Sequence, residues 1–221
     1  MNRPVNPERD GISELTTGRL SVYLRCLTFL ESQGQKTVSS HEMADRFHLN
    51  SAQIRKDLAC FGEFGTRGVG YDVSRLRRSL VETLGIDRTR NVVIVGAGNL
   101  GMALADYAGF HSNGFHIVAM VDVDPAKSGR QSREGIPVHP WERLGEIVRR
   151  NHVDIGIVAV PADAAQAVYD ALADAGLKAV LNFAPVQLKL REGVKVKSVD
   201  LRINLESLSF HLKNVEDGVV G

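Results

Sequence analysis

One stretch constrains this chain more than any other: Val92-Val93-Ile94-Val95-Gly96-Ala97-Gly98-Asn99-Leu100-Gly101. Four β-branched apolar residues in succession read as a strand buried on both faces, as in a parallel sheet covered by helices. The run stops at Gly96-x-Gly98-x-x-Gly101, and Met102, Leu104, Ala105 and Tyr107 continue in a helical pattern. Strand, glycine turn and helix, in that order, are the context in which this fingerprint holds a dinucleotide. Gly96 permits the tight turn, Gly98 lets the backbone approach a pyrophosphate, and Gly101 lets the helix sit close to the strand. The helix start then offers free N–H groups and a positive dipole end to the phosphates. Ala97, Asn99 and Leu100 complete this candidate cofactor turn.

The turn does not stand alone. A second apolar strand, residues 117–121, ends at Asp122, about 20 residues beyond Gly101, the distance expected of an acid that hydrogen-bonds the ribose 2′-OH. A carboxylate there repels a 2′-phosphate, which favours NAD(H) over NADP(H). Asp124 is the alternative acid, and Lys127 and Arg130 lie nearby. Further on, 136–138 reads as a short strand, 141–148 as a helix, 154–160 as a buried strand, 164–175 as an alanine-rich helix, 178–181 as a strand and 194–199 as a last, alternating strand. Ligands of such sheets bind beyond the carboxyl ends of the strands, so Val160, Pro161, Asn182 and Phe183 are candidates for the nicotinamide end.

The chain has 221 residues, 43% hydrophobic and 24% charged, with no apolar run near the ~20 residues of a membrane span. Residues 1–12 lack an apolar core and read as a disordered lead rather than a signal peptide. Cys26 and Cys60, the only two cysteines, fall in helical patterns and suit free thiols in a reducing cytosol. The histidines show no metal-ligand spacing, so no metal site is expected. A net charge of +1 does not itself imply nucleic acid; that case rests on local placement.

Residues 13–86 supply it. A first helix spans about 13–32, capped by Thr16 or Thr17, with Leu20, Tyr23, Leu24, Leu27 and Leu30 on a broad apolar face. Ser39 and Glu42 form a capping-box signature before a short helix to Phe47. After the turn His48-Leu49-Asn50, Asn50 or Ser51 caps a helix over 52–60; the helix-turn-helix region covers about 22–61. Ile54, Leu58 and Phe61 face inward, while Ala52, Lys56 and Ala59 face out, flanked by Gln53 and Arg55. Small residues beside polar tips suit a helix lying in a major groove, although a plain solvated face carries similar residues. The glycine-rich stretch 61–73 reads as a hairpin with Arg67 at its tip, next to Gly68, a wing able to reach a minor groove or phosphate. A helix over 74–84, capped by Ser74 and ended by Gly85, closes a winged-helix domain.

The expected architecture is therefore α/β: a winged helix over 13–86, a Rossmann-type parallel-sheet domain over 91–199, and a C-terminal dimerisation helix and tail over 200–221. In that tail Leu201, Leu205, Leu208 and Leu212 form one stripe, and Ile203 and Phe210 a second. A helix apolar on two sides needs two partners, its own sheet and a second subunit. An NAD-dependent oxidoreductase is the rival reading, and it requires a proton donor beside the nicotinamide. Tyr107 is followed four places on by His111 and Tyr169 by Ala173, so no Tyr-x-x-x-Lys pair is present and no catalytic residue is assigned.

These features together resemble the Rex family of redox-sensing transcriptional repressors over nearly the whole chain. The resemblance is carried by Tyr23-Leu24-Arg25, Arg55-Lys56-Asp57-Leu58, Gly65-Thr66-Arg67-Gly68-Val69-Gly70-Tyr71, Gly96-Ala97-Gly98-Asn99-Leu100-Gly101, Leu181-Asn182-Phe183-Ala184-Pro185 and Val199-Asp200-Leu201. The wing motif followed by the dinucleotide fingerprint is its specific part. The resemblance implies a cytoplasmic homodimer on palindromic operator DNA, a Rossmann domain that reads the NADH/NAD⁺ ratio, and a domain-swapped C-terminal helix. It implies release of DNA when NADH binds, and a polar network of Arg25, Tyr107 and Asp200 across the dimer.

Overall fold

A computed structural model of the chain describes residues 13–62, 64–66, 68–111 and 114–217. The expected lead over 1–12 and Arg67 lie outside the described residues. The chain divides between Arg88 and Thr89 into two compact units.

The first unit opens with α1 (Glu14–Ser32). Its cap is Ser13, whose hydroxyl accepts from the Thr16 N–H, and not Thr16 or Thr17. Thr17 instead donates its hydroxyl to the Ser13 carbonyl. Leu20, Tyr23, Leu27 and Leu30 of the expected face are buried; Cys26 joins them, and Leu24 is only half-buried. The strand β1 (Thr37–Val38) leads to α2 (Ser40–Phe47), capped by Ser39, which accepts from the Glu42 N–H at 3.0 Å. His48, at φ 55°, turns the chain into α3 (Ser51–Ala59), which Asn50 caps. The wing is β2 (Gly65–Thr66) antiparallel to β3 (Gly70–Asp72). β1 pairs with the other edge of β3, a third strand too short to leave a periodic signal. Gly70 sits at φ 93°, and a Cβ there would lie 2.5 Å from the Val38 carbonyl oxygen, so the β1–β3 contact requires glycine. Asp72, not Ser74, caps α4 (Val73–Leu84), accepting from the Arg75 N–H at 2.7 Å; Gly85 ends it in the left-handed region.

The pose of α3 is set by a charge. Asp57 is only 3% exposed and four hydrogen bonds converge on its carboxylate. Arg19 donates from Nε to Oδ2 and from Nη2 to Oδ1 at 2.8 Å, Tyr23 donates its hydroxyl to Oδ2 at 2.9 Å, and Gln53 donates Nε2 to Oδ1 at 2.7 Å. The fork of Arg19 matches the carboxylate plane, so α1 and α3 are locked in angle as well as distance. Arg19 and the other donors hold the Asp57 carboxyl below its ordinary value of 3.8, against the effect of burial. Burial and the neighbouring carboxylate push the Tyr23 phenol well above 10.0, so it remains a donor.

In the second unit, six parallel strands form one sheet, with helices or short helical turns between all but the last two. β4 (Arg90–Val95) leads through the glycine turn to α5 (Asn99–Ala105) and the single turn α6 (Ala108–His111). β5 (Phe115–Asp122), β6 (Val138–Pro140) and α7 (Leu144–Arg150) follow. The third strand thus lies two residues beyond the expected 136–138, because the Gln131–Pro137 bridge occupies its predicted start. β7 (Ile155–Val158), α8 (Ala162–Asp174), β8 (Ala179–Asn182), β9 (Lys195–Ser198) and α9 (Leu201–Glu216) complete the chain. The strand order is β6-β5-β4-β7-β8-β9. Counted within the sheet it is the 3-2-1-4-5-6 order of a dinucleotide-binding fold. One face, with Val93, Val95, Val121 and Val158, packs on α7 and α8 through Leu144, Ile147, Tyr169 and Leu172. The other, with Val92, Ile94, Ile117 and Met120, packs on α5 through Ala105.

The Asp57 cluster generates a pH dependence. Its folded value is depressed, so its contribution is complete above about pH 4 and is lost as pH falls further through the folded value. Asp57→Ala should cost about 3 kcal/mol of first-unit stability, the lower end for a buried pair because Arg19 reaches water. Denaturant titrations at neutral and acidic pH check this: the wild-type advantage over the variant should shrink in acid.

Candidate cofactor and nucleic-acid sites

The register aligns the carboxyl ends of four strands. Val95 pairs with Val121 on one side and Val158 on the other, and Val158 pairs with Asn182. The residues that follow, Gly96, Asp122, Ala159 and Phe183, therefore stand along one edge. Strand order reverses at β4, which puts the crevice of the fold between the β4 and β7 ends.

Each glycine of the turn meets a different constraint. Gly96 has φ 104°, and a Cβ there would collide with the Ala159 carbonyl. A Cβ on Gly101 would collide with the Gly96 carbonyl, so this glycine brings α5 down onto the strand. Gly98, exposed, has an ordinary backbone and nothing within 4 Å of its Cβ position. Gly98 is the N-cap of α5, and no side chain caps that end. Asn99 and Leu100 are exposed in the first turn, and Ala97 is buried.

Asp122 is 8% exposed and serves the turn directly. Its Oδ2 accepts from the Ala97 N–H at 2.7 Å and from Lys127 Nζ at 3.0 Å; Oδ1 accepts from the Asp124 N–H at 2.9 Å. Burial alone would raise its pKa; the Asp124 and Ala97 N–H groups and Lys127 outweigh it and hold the acid ionised, below 3.8. A carboxylate offers about four lone-pair directions, so one on Oδ1 is left for a further donor. Asp124 has a separate task, capping a 3₁₀ turn over Pro125–Lys127 by accepting from the Ala126 N–H. Val123, 77% exposed directly after the acid, is an apolar surface that the sequence pattern did not single out.

The nicotinamide-end candidates divide. Val160 is half-buried and Pro161 exposed at the start of α8, both beyond β7. Phe183 is half-buried beyond β8. Asn182 is wholly buried: Nδ2 donates to the Ala184 and Val186 carbonyls and Oδ1 accepts from the Ala184 N–H. It shapes the turn that carries Phe183 and does not present its own side chain.

In the first unit, α3 turns Ala52, Lys56 and Ala59 to solvent. Arg55 is exposed and donates to the Ser40 hydroxyl at 3.1 Å, which ties α3 to the start of α2. Gln53 is half-buried, with its amide nitrogen on Asp57. Gly68 is exposed on the wing at φ 83°. The pair of Asp57 and Arg19, which orients α3, is what sequence reasoning passed over, since periodicity does not show that two charges pair across helices. Arg25 is exposed on α1. In the second unit Tyr107 is 57% exposed, edge-on to Phe110 with ring centroids 5.1 Å apart. Asp200 caps α9 and pairs with Arg202 at 3.3 Å.

Two family profiles match the chain: "Putative DNA-binding protein N-terminus" over residues 11–59 and "CoA binding domain" over 87–186. The redox-sensing transcriptional repressor Rex of Carboxydothermus hydrogenoformans is 51% identical over 202 residues, 91% of this chain and 97% of that protein. Two solved structures of RSP are similar over the full fold. The complex with β-NAD⁺ and operator DNA has TM-score 0.87 and 38% identity, covering 93% of this chain and 94% of that one. The complex with β-NADH has TM-score 0.82 and 37% identity, covering 94% and 96%. The relatives are named repressors, not enzymes. Winged helix, parallel sheet and glycine turn thus agree with similarity over nearly the whole length, and the chain belongs to the Rex family of redox-sensing transcriptional repressors.

Proposed function

We propose that this chain is a dimeric repressor that binds palindromic operator DNA through α3 and the wing, binds NADH at the carboxyl edge of its sheet, and leaves the operator when NADH is bound. The observation that carries this reading is the extended likeness to RSP, solved with β-NAD⁺ and operator DNA and with β-NADH. The residues of this chain fit the cofactor. Gly98 leaves room for a pyrophosphate beside uncapped N–H groups, and Asp122 keeps one lone pair for a ribose hydroxyl. Lys127 stands beside that acid as a donor, while the carboxylate opposes a 2′-phosphate. When bound, the nicotinamide supplies the redox signal; the chain supplies binding and discrimination. Titrating a labelled operator duplex with protein, with and without NADH, tests the whole reading. NADH should weaken the complex, and equal binding in both conditions overturns it.

Support for dimerisation comes from α9. Leu201, Ile203, Leu205, Leu208, Phe210 and Leu212 are each at least 59% exposed, and none of the helix's described residues is buried. The sheet face bearing Val92, Ile117, Ile155, Ile157 and Leu181 holds an apolar concavity of about 290 Å³. Exposed apolar surface on this scale marks an interface. A second copy, exchanging α9, covers both. Coupling between the units is assigned to Arg25, Tyr107 and Asp200 of the partner. Asp200 must then trade Arg202 for Arg25, an inexpensive exchange because Arg202 is 68% exposed and its ion pair is screened by water.

Gly98→Val should abolish NADH binding and leave thermal stability unchanged, because its methyls enter open space that only a ligand fills. Isothermal titration beside a melting curve checks both halves. Asp122→Ala should weaken NADH and narrow its advantage over NADPH. Deleting residues 200–221 should yield a monomer or an aggregate by light scattering; a soluble dimer excludes the exchange. If NADH weakens operator binding tenfold, the coupling is about 1.4 kcal/mol and operator must weaken NADH binding by the same factor. Arg25→Ala and Asp200→Ala should bring that factor toward one while NADH still binds.

A further inference from the structure

We propose that Asp57 locks the Gln53 amide against its 180° flip, so that α3 reads an amine-bearing base edge, adenine before cytosine, at the position Gln53 meets. This deepens the reading of α3 as the recognition helix and rests on it. Recognition helices meet base edges with their N-terminal residues, and Gln53 is the third residue of α3, between exposed Ala52 and Lys56. A glutamine free to flip matches either order of donor and acceptor. Here the order is set by chemistry: the atom 2.7 Å from Asp57 Oδ1 must be the amide nitrogen, because an ionised carboxylate only accepts. Flipping the amide would set two acceptors against each other in a site where Asp57 is 3% exposed.

Asp57 cannot turn away to relieve such a clash, since Arg19 and Tyr23 hold both its oxygens. Gln53 therefore keeps Oε1 on the side away from Asp57, with its second amide hydrogen beside it. That pair of groups matches the N6 amine and N7 of adenine. Oε1 alone accepts from the N4 amine of cytosine, whereas guanine O6 and thymine O4 meet it lone pair to lone pair. Asp57, which reaches no base, thus acts on specificity through its neighbour and is a positioning residue.

The test is selection of operators from random duplexes by the full-length wild type and by Gln53→Ala, Lys56→Ala and Asp57→Asn. Wild type should require adenine or cytosine at one position of each half-site, and Gln53→Ala should lose that requirement there alone. Replacing a selected adenine by purine, which lacks the 6-amine, should weaken wild type about fivefold, as for one neutral hydrogen bond of ~1 kcal/mol, and leave Gln53→Ala unchanged. In Asp57→Asn, the oxygen stays with Arg19 Nε and the Tyr23 hydroxyl, and the new amide nitrogen at the place of Oδ1 faces Arg19 Nη2, which loses its acceptor there, and Gln53, which flips; guanine or thymine should then be accepted at that position. A change in the selected base is a readout that lost stability alone does not produce.

An unaltered profile in Gln53→Ala, a wild-type preference for guanine or thymine there, or a folded Asp57→Asn with the wild-type preference overturns the proposal. Should Asp57→Asn fail to fold by circular dichroism, the Gln53→Ala and purine arms decide. If Lys56→Ala weakens binding and lowers the salt slope while Gln53→Ala changes nothing, only this inference falls. If neither variant alters DNA binding, the assignment of α3 falls with it.

Discussion

The second unit depends on the close approach of Gly101 to the Gly96 carbonyl. A side chain at Gly101 would occupy the place of that oxygen, and one at Gly96 would occupy the place of the Ala159 carbonyl. Because neither is there, α5 starts directly above β4, and the turn between them stays flat enough to leave Gly98 open. Asp122 then fastens the turn from the neighbouring strand through the Ala97 N–H. The acid that suits a ribose thus also holds the loop that suits a phosphate. On the proposed function, loss of its carboxylate removes a ligand contact and loosens the turn at the same time, so the two effects share one cause.

The first unit is built around a comparable economy of charge. A buried carboxylate normally destabilises unless every lone pair is met. Asp57 is met by Arg19, Tyr23 and Gln53, from α1 and from its own helix. Replacing such a cluster by apolar residues often leaves stability intact, which argues that its value lies in orientation. An apolar contact between α1 and α3 tolerates sliding; a forked pair does not. The outward face of α3, with its small residues around Lys56, is aimed by this internal anchor.

The C-terminal helix leaves apolar surface uncovered. α9 has apolar side chains on two sides and no buried residue among those described, while the sheet face near Ile155 and Ile157 holds an apolar concavity. Neither surface is suited to water over that extent. The same helix begins at Asp200, whose pair with Arg202 is exposed and replaceable. A change of partner for α9 would therefore bring its cap residue with it.

Much of this was legible in the sequence because it is local. Hydrophobic period placed the strands and helices within a few residues, and the glycine spacing marked the turn, although the Ala159 carbonyl that a Cβ on Gly96 would strike lies far along the chain. Family membership was legible for the same reason, in short motifs separated by fixed distances. The misplaced caps show the limit: Ser13 and Asp72 took positions for which Thr16, Thr17 and Ser74 were also candidates, and only backbone geometry chose between them. Asn182 looked like a ligand contact at a strand end and is instead buried, holding its turn. Pairing across the fold left no trace in periodicity. Residues 19 and 57 are far apart in the chain, and β1 is only two residues long. The sequence by itself determined which segments are strands, which are helices and where a dinucleotide turn lies, since those depend on neighbours along the chain. Only the tertiary structure decided that Asp57 is buried against Arg19 and that Gln53 is held by it, because a charge is satisfied by whatever the fold brings within reach.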